Sequence, residues 1–102
     1  SVNWRTGPPG TATTGHGTVA PCGTADSGLF WFFDASNWEV LVKSLNACGL
    51  NSRYWIFSAS TTNVFYRMTV LDVREGVQKI YFNYPGPPAP AVTDTDAFAT
   101  CP

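Results

Sequence analysis

The stretch GLFWFFDASNW, residues 28–38, decides how the rest of the chain is read. Five large apolar side chains stand consecutively at 29–33, and another Trp follows at 38. Such a run serves as a strand buried on both faces, as an exposed binding platform, or as a membrane anchor. A spanning helix needs about 20 apolar residues, and this run stops at Asp34. The anchor reading falls, which leaves the strand and the platform.

Composition favours the strand. The chain has 102 residues, enough for one domain with a modest core. Charged residues make up 13% and the net charge is −1, so the basic patch of a nucleic-acid binder is missing. Aromatics reach 15%, with nine Gly and eight Pro. Few charges, many aromatic and β-branched residues and dense turn formers read as an all-β chain. The N-terminal SVNWRTGPPG has neither a basic nor an apolar signal-peptide region. The expectation is a secreted or cell-surface chain from which a signal peptide has been removed, with no membrane insertion.

Working outward from residues 28–38, strand patterns recur about every ten residues. Residues 2–4, 18–20 and 29–33 read as strands. TGPPGTATTGHG between the first two reads as loop, because it holds two Pro and four Gly. Residues 38–45 are ambiguous. As a strand, Trp38, Val40 and Val42 share a face; as a helix capped by Asn37, Trp38, Leu41, Val42 and Leu45 do. The strand-like neighbours favour strand. Residues 54–59 and 64–72 follow, the latter with Val64, Tyr66, Met68 and Val70 on one face. Next come 77–83, with Ile80 and Phe82 expected inward, and a short last strand at 97–99. YPGPPAPA holds four Pro and is expected to run extended over the surface.

About seven short strands separated by turn signals describe an Ig-like antiparallel β-sandwich with a Pro-rich C-terminal tail, residues 84–102, packed on the domain or on a neighbour. In it, Leu29, Trp31 and Phe33 are expected to face the core. Phe30 and Phe32 then need cover from the tail or from a partner.

The blocks SGLFWFF, NWEVLVKSL, NSRYWIF, VFYRMTVLD and YFN resemble, in order and spacing, a recurring domain of bacterial secreted and cell-surface proteins. The resemblance runs from Trp4 to the end. It implies a β-sandwich with no catalytic motif, found beside secreted hydrolases, in tandem arrays, or alone. It also favours strand for residues 38–45. Members begin with a further Cys-containing strand, whereas this chain starts directly at SVNWR. That difference predicts an unpaired sheet edge and self-association by strand addition.

Three cysteines, Cys22, Cys48 and Cys101, suit one disulfide and one leftover thiol, or three buried thiols. The expected pair is Cys48–Cys101, one in the loop after a central strand and the other on a tail that needs an anchor. Among chemistry-bearing residues, the lone His16 has no partners for catalysis. Asp94 and Asp96 share a face and have the spacing for a calcium ion, although turn residues fit them better. The seven acids sit mostly in turns, which disfavours a glycosidase. Of the four Trp, Trp31 and Trp55 read as core, and Trp38 and Tyr84 as exposed rings.

The function expected from sequence is a non-catalytic extracellular interaction or structural module, needing no cofactor and no metal, and either self-assembling into a surface layer or fibre or serving as an accessory to a secreted enzyme. Its expected interaction surface is Phe30, Phe32, Trp38 and Tyr84. The alternatives are a protease inhibitor presenting GPPGTATTGHGTVAPC or NYPGPPAP, and a carbohydrate-binding module.

Overall fold

The computed structural model describes residues 1–7, 10–85 and 90–102. In these residues nine strands form two antiparallel sheets. They are β1 (Val2–Thr6), β2 (Thr13–His16), β3 (Thr18–Val19), β4 (Ser27–Trp31), β5 (Trp38–Ala47), β6 (Arg53–Ser60), β7 (Phe65–Asp72), β8 (Val77–Asn83) and β9 (Val92–Phe98). One turn of helix, α1 (Cys48–Asn51), joins β5 to β6. The four-stranded sheet runs β2-β1-β7-β8 and the five-stranded sheet β3-β4-β5-β6-β9. The two pack face to face as an all-β sandwich.

The core is drawn from both inner faces and includes Val2, Phe32, Val40, Ile56, Met68 and Phe98. Residues 38–45 are strand. β5 pairs with β4 on one side and, from Val40 to Ala47, with β6 on the other. Its inward Val40 and Val42 lie against the core. Two full ladders satisfy its backbone, which a lone helix over the same residues would satisfy without burying both flanks. The turn before it is built by Asp34, whose Oδ1 accepts the Ser36 N–H at 2.8 Å and the Ser36 hydroxyl at 2.7 Å.

Four expectations about strands and their facing are corrected first. The first concerns the aromatic run, whose parity is reversed. Phe32 is 6% exposed and Phe30 packs against the core, while Phe33 is 52% exposed. Phe30 stands opposite the buried Val40, and Leu29 opposite the exposed Leu41. Both parities of the run are apolar, so only the partner strand chooses between them.

The second concerns β8, where Ile80 and Phe82 point outward and Tyr81 packs toward the core. Third, TGPPGTATTGHG contains β2, a strand paired with β1 from Asn3↔His16 to Thr6↔Thr13. Fourth, the tail is not a surface strap. Its residues 92–98 form β9, the edge strand beside β6. The expected last strand at 97–99 is the end of this longer one. Of YPGPPAPA, residues 86–89 lie outside the described residues.

β1 is paired on both sides, by β2 and β7, so the chain's first strand does not leave an open edge. Ser1 itself exchanges two bonds with Thr69, each 2.8 Å. The expected disulfide, Cys48–Cys101, is present and ties α1 to the segment after β9. Cys22 is free and exposed.

Candidate functional site

The outer face of the four-stranded sheet carries side chains that alternation places opposite the core. Because Tyr66 and Met68 of β7 are buried, Phe65, Arg67 and Leu71 must face out. Register sets Arg5 beside Phe65 and Phe82 beside Arg67. Tyr84 follows just beyond β8. The result is a cluster of three rings: Phe65 lies 6.3 Å from Phe82 and 6.0 Å from Tyr84, and Phe82 and Tyr84 stack at 6.0 Å with 20° between their planes. Phe82 is 51% exposed and Tyr84 68%.

Two guanidinium groups border the rings. Arg5 sits 4.2 Å from the centroid of Phe65, a cation–π contact. Arg67 occupies the next row. A depression of about 270 Å³ lies between Asn3, Arg5, Phe65, Arg67 and Phe82, and a second of about 300 Å³ between Arg5, Phe65, Asn63 and Pro85. Three ion pairs occur among the described residues, Arg53–Asp96, Arg74–Glu75 and Lys79–Asp94, and neither Arg5 nor Arg67 is in them. Thr14 and His16 of β2 complete the face, His16 Nδ1 donating to Asn3 Oδ1. No strand of this face contributes a carboxylate to it, so it is locally basic in a chain of net charge −1.

An opening of about 350 Å³ lies between the sheets and is lined by Tyr54, Ile56, Val70, Leu71 and Phe98. Asp72 and Arg74 stand at its mouth. Their polar atoms are already used: Asp72 Oδ2 accepts the Thr100 hydroxyl at 2.6 Å, Asp72 Oδ1 accepts the Arg74 N–H at 3.0 Å, and Arg74 donates to the Thr100 carbonyl. Asp72 and Arg74 are thus braced by internal partners.

The residues expected to form the interaction surface are scattered. Phe32 is buried and Phe30 half-buried against the core, so neither offers a surface. Trp38 is 47% exposed but belongs to the other sheet, and its Nε1 donates to the Ala35 carbonyl at 3.2 Å. Only Tyr84 joins the aromatic cluster. Trp31 and Trp55, expected in the core, are half-buried and lie outside it. Trp55 stacks on Phe57 at 5.9 Å and donates to Asn51 Oδ1.

Asp94, weighed as a calcium ligand, accepts the Tyr81 hydroxyl, the Asp96 N–H and the Lys79 ammonium instead. Among the described residues no cluster of three His, Cys, Asp or Glu could hold a metal ion. The expected inhibitor loop, residues 7–22, is strand over Thr13–His16 and Thr18–Val19, each paired in a ladder.

Phe65, Phe82, Arg5 and Arg67 were missed as a group. Their signal was the alternation of residues 64–72, which already put Phe65 and Arg67 on the face opposite Tyr66 and Met68. Comparison with known proteins adds no relative: no family model, no curated protein and no solved structure matches this chain. No helix among the described residues is long and apolar enough to cross a membrane.

Proposed function

We propose that this chain is a non-catalytic interaction module of a secreted or cell-surface protein, and that the outer face of β1, β7 and β8 is its binding surface. The observation that carries this reading is the juxtaposition of Phe65, Phe82 and Tyr84 with two arginines that have no carboxylate partner among the described residues. Exposed aromatic clusters and Arg are the groups that dominate binding energy when covered by a partner. The partner that complements them carries apolar surface and acidic groups. The disulfide agrees with an oxidising compartment.

A second reading, carbohydrate binding, is favoured by one detail. Phe82 and Tyr84 stack with 20° between planes and stand in the open, a ledge of the kind on which a pyranose ring lies flat. Arrays of secreted proteins and of glycans separate the readings. The wild type is compared with a Phe82→Ala/Arg67→Ala variant that keeps its melting temperature. Signals confined to one array and lost in the variant support the corresponding reading. Signals that survive the substitutions, or silence on both arrays, overturn the proposed surface.

A further inference from the structure

We propose that β8 is a dimerisation edge, which pairs antiparallel with β8 of a second copy of this chain and joins two four-stranded sheets into one of eight. The inference concerns the backbone of the edge and stands apart from the ligand of the aromatic face.

The direction of the β8 backbone groups follows from the ladder. Thr69 exchanges both of its bonds with Ser1, so the odd residues of β7 turn their N–H and C=O groups toward β1. The Gly17 N–H donating to the Val2 carbonyl at 2.7 Å agrees, since it turns Val2 away from β7. Tyr66, Met68 and Val70 therefore bond to β8, where their register partners are Asn83, Tyr81 and Lys79. Gln78, Ile80 and Phe82 are left with N–H and C=O groups aimed at the open side of the sheet. No bond to these groups occurs among the described residues. A strand is the one partner that satisfies all of them together.

The other three edges carry features that resist pairing. β2 has four residues, including Gly15, and β3 has two, followed closely by Pro21. β9 carries Asp94 and Asp96, and its pairing is interrupted by a register shift. β8 has seven residues, no Pro and no shift in its register. Its outward side chains, Gln78, Ile80 and Phe82, are uncharged. Its one charge, Lys79, is drawn to Asp94 of its own chain at 3.5 Å. A seven-residue edge whose open-side residues carry no charge is what natural sheets avoid unless it is used.

A second copy fits better than an unrelated strand because the edge is self-complementary. Two-fold pairing centred on Ile80 sets Ile80 against Ile80 and Gln78 against Phe82, with no like charges opposed. It would also place both aromatic clusters on one continuous face, giving a ligand two sites at high effective concentration.

Sedimentation equilibrium on the full chain, with Cys22→Ser to remove cross-linking through the thiol, tests this. The expected result is a dimer that dissociates on dilution. Ile80→Lys opposes two ammonium groups across the two-fold axis and should raise the dissociation constant roughly tenfold or more. Val19→Lys on the β3 edge should not change it. Amide exchange gives a second readout independent of the variants: Gln78, Ile80 and Phe82 should be protected in the dimer and exchange freely in the monomer, while Tyr81 is protected in both. A chain that stays monomeric at millimolar concentration overturns the proposal. So does a dimer in which the Gln78, Ile80 and Phe82 amides exchange freely.

Discussion

The hydroxyl of Tyr81 on β8 donates to Asp94 Oδ2 on β9 at 2.7 Å, a bond that crosses from one sheet to the other. Lys79 reaches the same oxygen at 3.5 Å. The two sheets are thus tied along the side where their edge strands face each other, outside the apolar core. Burial raises the Tyr81 hydroxyl above its ordinary value, and its bond to Asp94 does so further. Tyr81→Phe removes one charge-assisted bond and should cost about 1.5–3 kcal/mol. Asp94→Ala should cost at least as much, because it leaves a part-buried hydroxyl and an ammonium without their acceptor. Urea titration of the single and double variants should show a coupling energy, with the double variant no worse than the sum. Strict additivity would mean that the bond does not form in solution.

Acid should weaken the fold, and the sign follows from three carboxylates. Backbone and hydroxyl bonds from Ser36 hold Asp34 below its ordinary value of 3.8. The Thr100 hydroxyl does the same for Asp72. Burial alone would raise Asp94, but the Tyr81 hydroxyl, the Asp96 N–H and Lys79 outweigh it and the net shift is downward. Each of these groups takes up a proton more readily when unfolded. Their contribution is present above the ordinary carboxylate range and is lost as pH falls through and below 3.8. Melting temperatures should therefore drop steeply below about pH 4.

Glu39 works in the opposite sense. It is 8% exposed, one of its carboxylate oxygens has no partner, and burial raises it above its ordinary 4.5 against a lowering bond from Thr62. A raised acid favours the folded state when protonated, so its charge costs stability as pH rises from 4.5 through the folded value. Glu39→Gln should raise stability at pH 7 by a few tenths to about 1 kcal/mol, and the gain should shrink toward pH 4. A variant less stable than the wild type at pH 7 would show that Glu39 has a compensating partner.

The C-terminal segment should be indispensable to the domain. The disulfide spans 53 residues, and in the chain-entropy model a cross-link of that span stabilises by about 4 kcal/mol. Cys101→Ser should lower stability by an amount of that order. Truncation after residue 88 removes β9, buried Ala97 and Phe98, and the cysteine together. The truncated chain should be unfolded by circular dichroism, rather than a folded domain freed from an assembly.

How far the sequence could be read depended on whether one strand settled its own face. Residues 64–72 did, because alternation there separates Tyr66 and Met68 from Arg67 and Thr69. The disulfide was legible because only one of the three cysteines followed a tail in need of anchoring. Residues 29–33 were not legible in facing, since both parities are aromatic or aliphatic and the choice lies with Val40 across the ladder. Residues 77–83 failed for a different reason: the inward parity, Lys79, Tyr81 and Asn83, is the more polar one and is satisfied by Asp94 and the Val64 carbonyl, while Ile80 and Phe82 face out. The binding surface was out of reach because it gathers residues from β1, β7 and β8, and its composition depends on register between strands far apart in sequence.

The segment TTGHG shows how a loop-like composition can be a packing requirement. Gly15 lies directly opposite Trp4 in the β1–β2 ladder. A Cβ on Gly15 would stand 2.4 Å from the indole ring, and one on Gly17 would stand 3.2 Å from Phe32 and 3.3 Å from Val2. The glycines are there because Trp4 lies over the strand, in contact with the core and with Phe33 at 4.8 Å between centroids. Gly15→Ala must displace a large ring hemmed in by its neighbours and should cost about 1–3 kcal/mol, the usual range for overpacking. Gly17→Ala needs a shift of only a few tenths of an ångström and should cost less. Trp4 fluorescence should change in the first variant and hardly at all in the second. In a Trp4→Leu background, where the smaller side chain vacates the space over the strand, the penalty of Gly15→Ala should largely disappear. A penalty that persists in that background would locate its cause in the backbone of β2 and not in the indole.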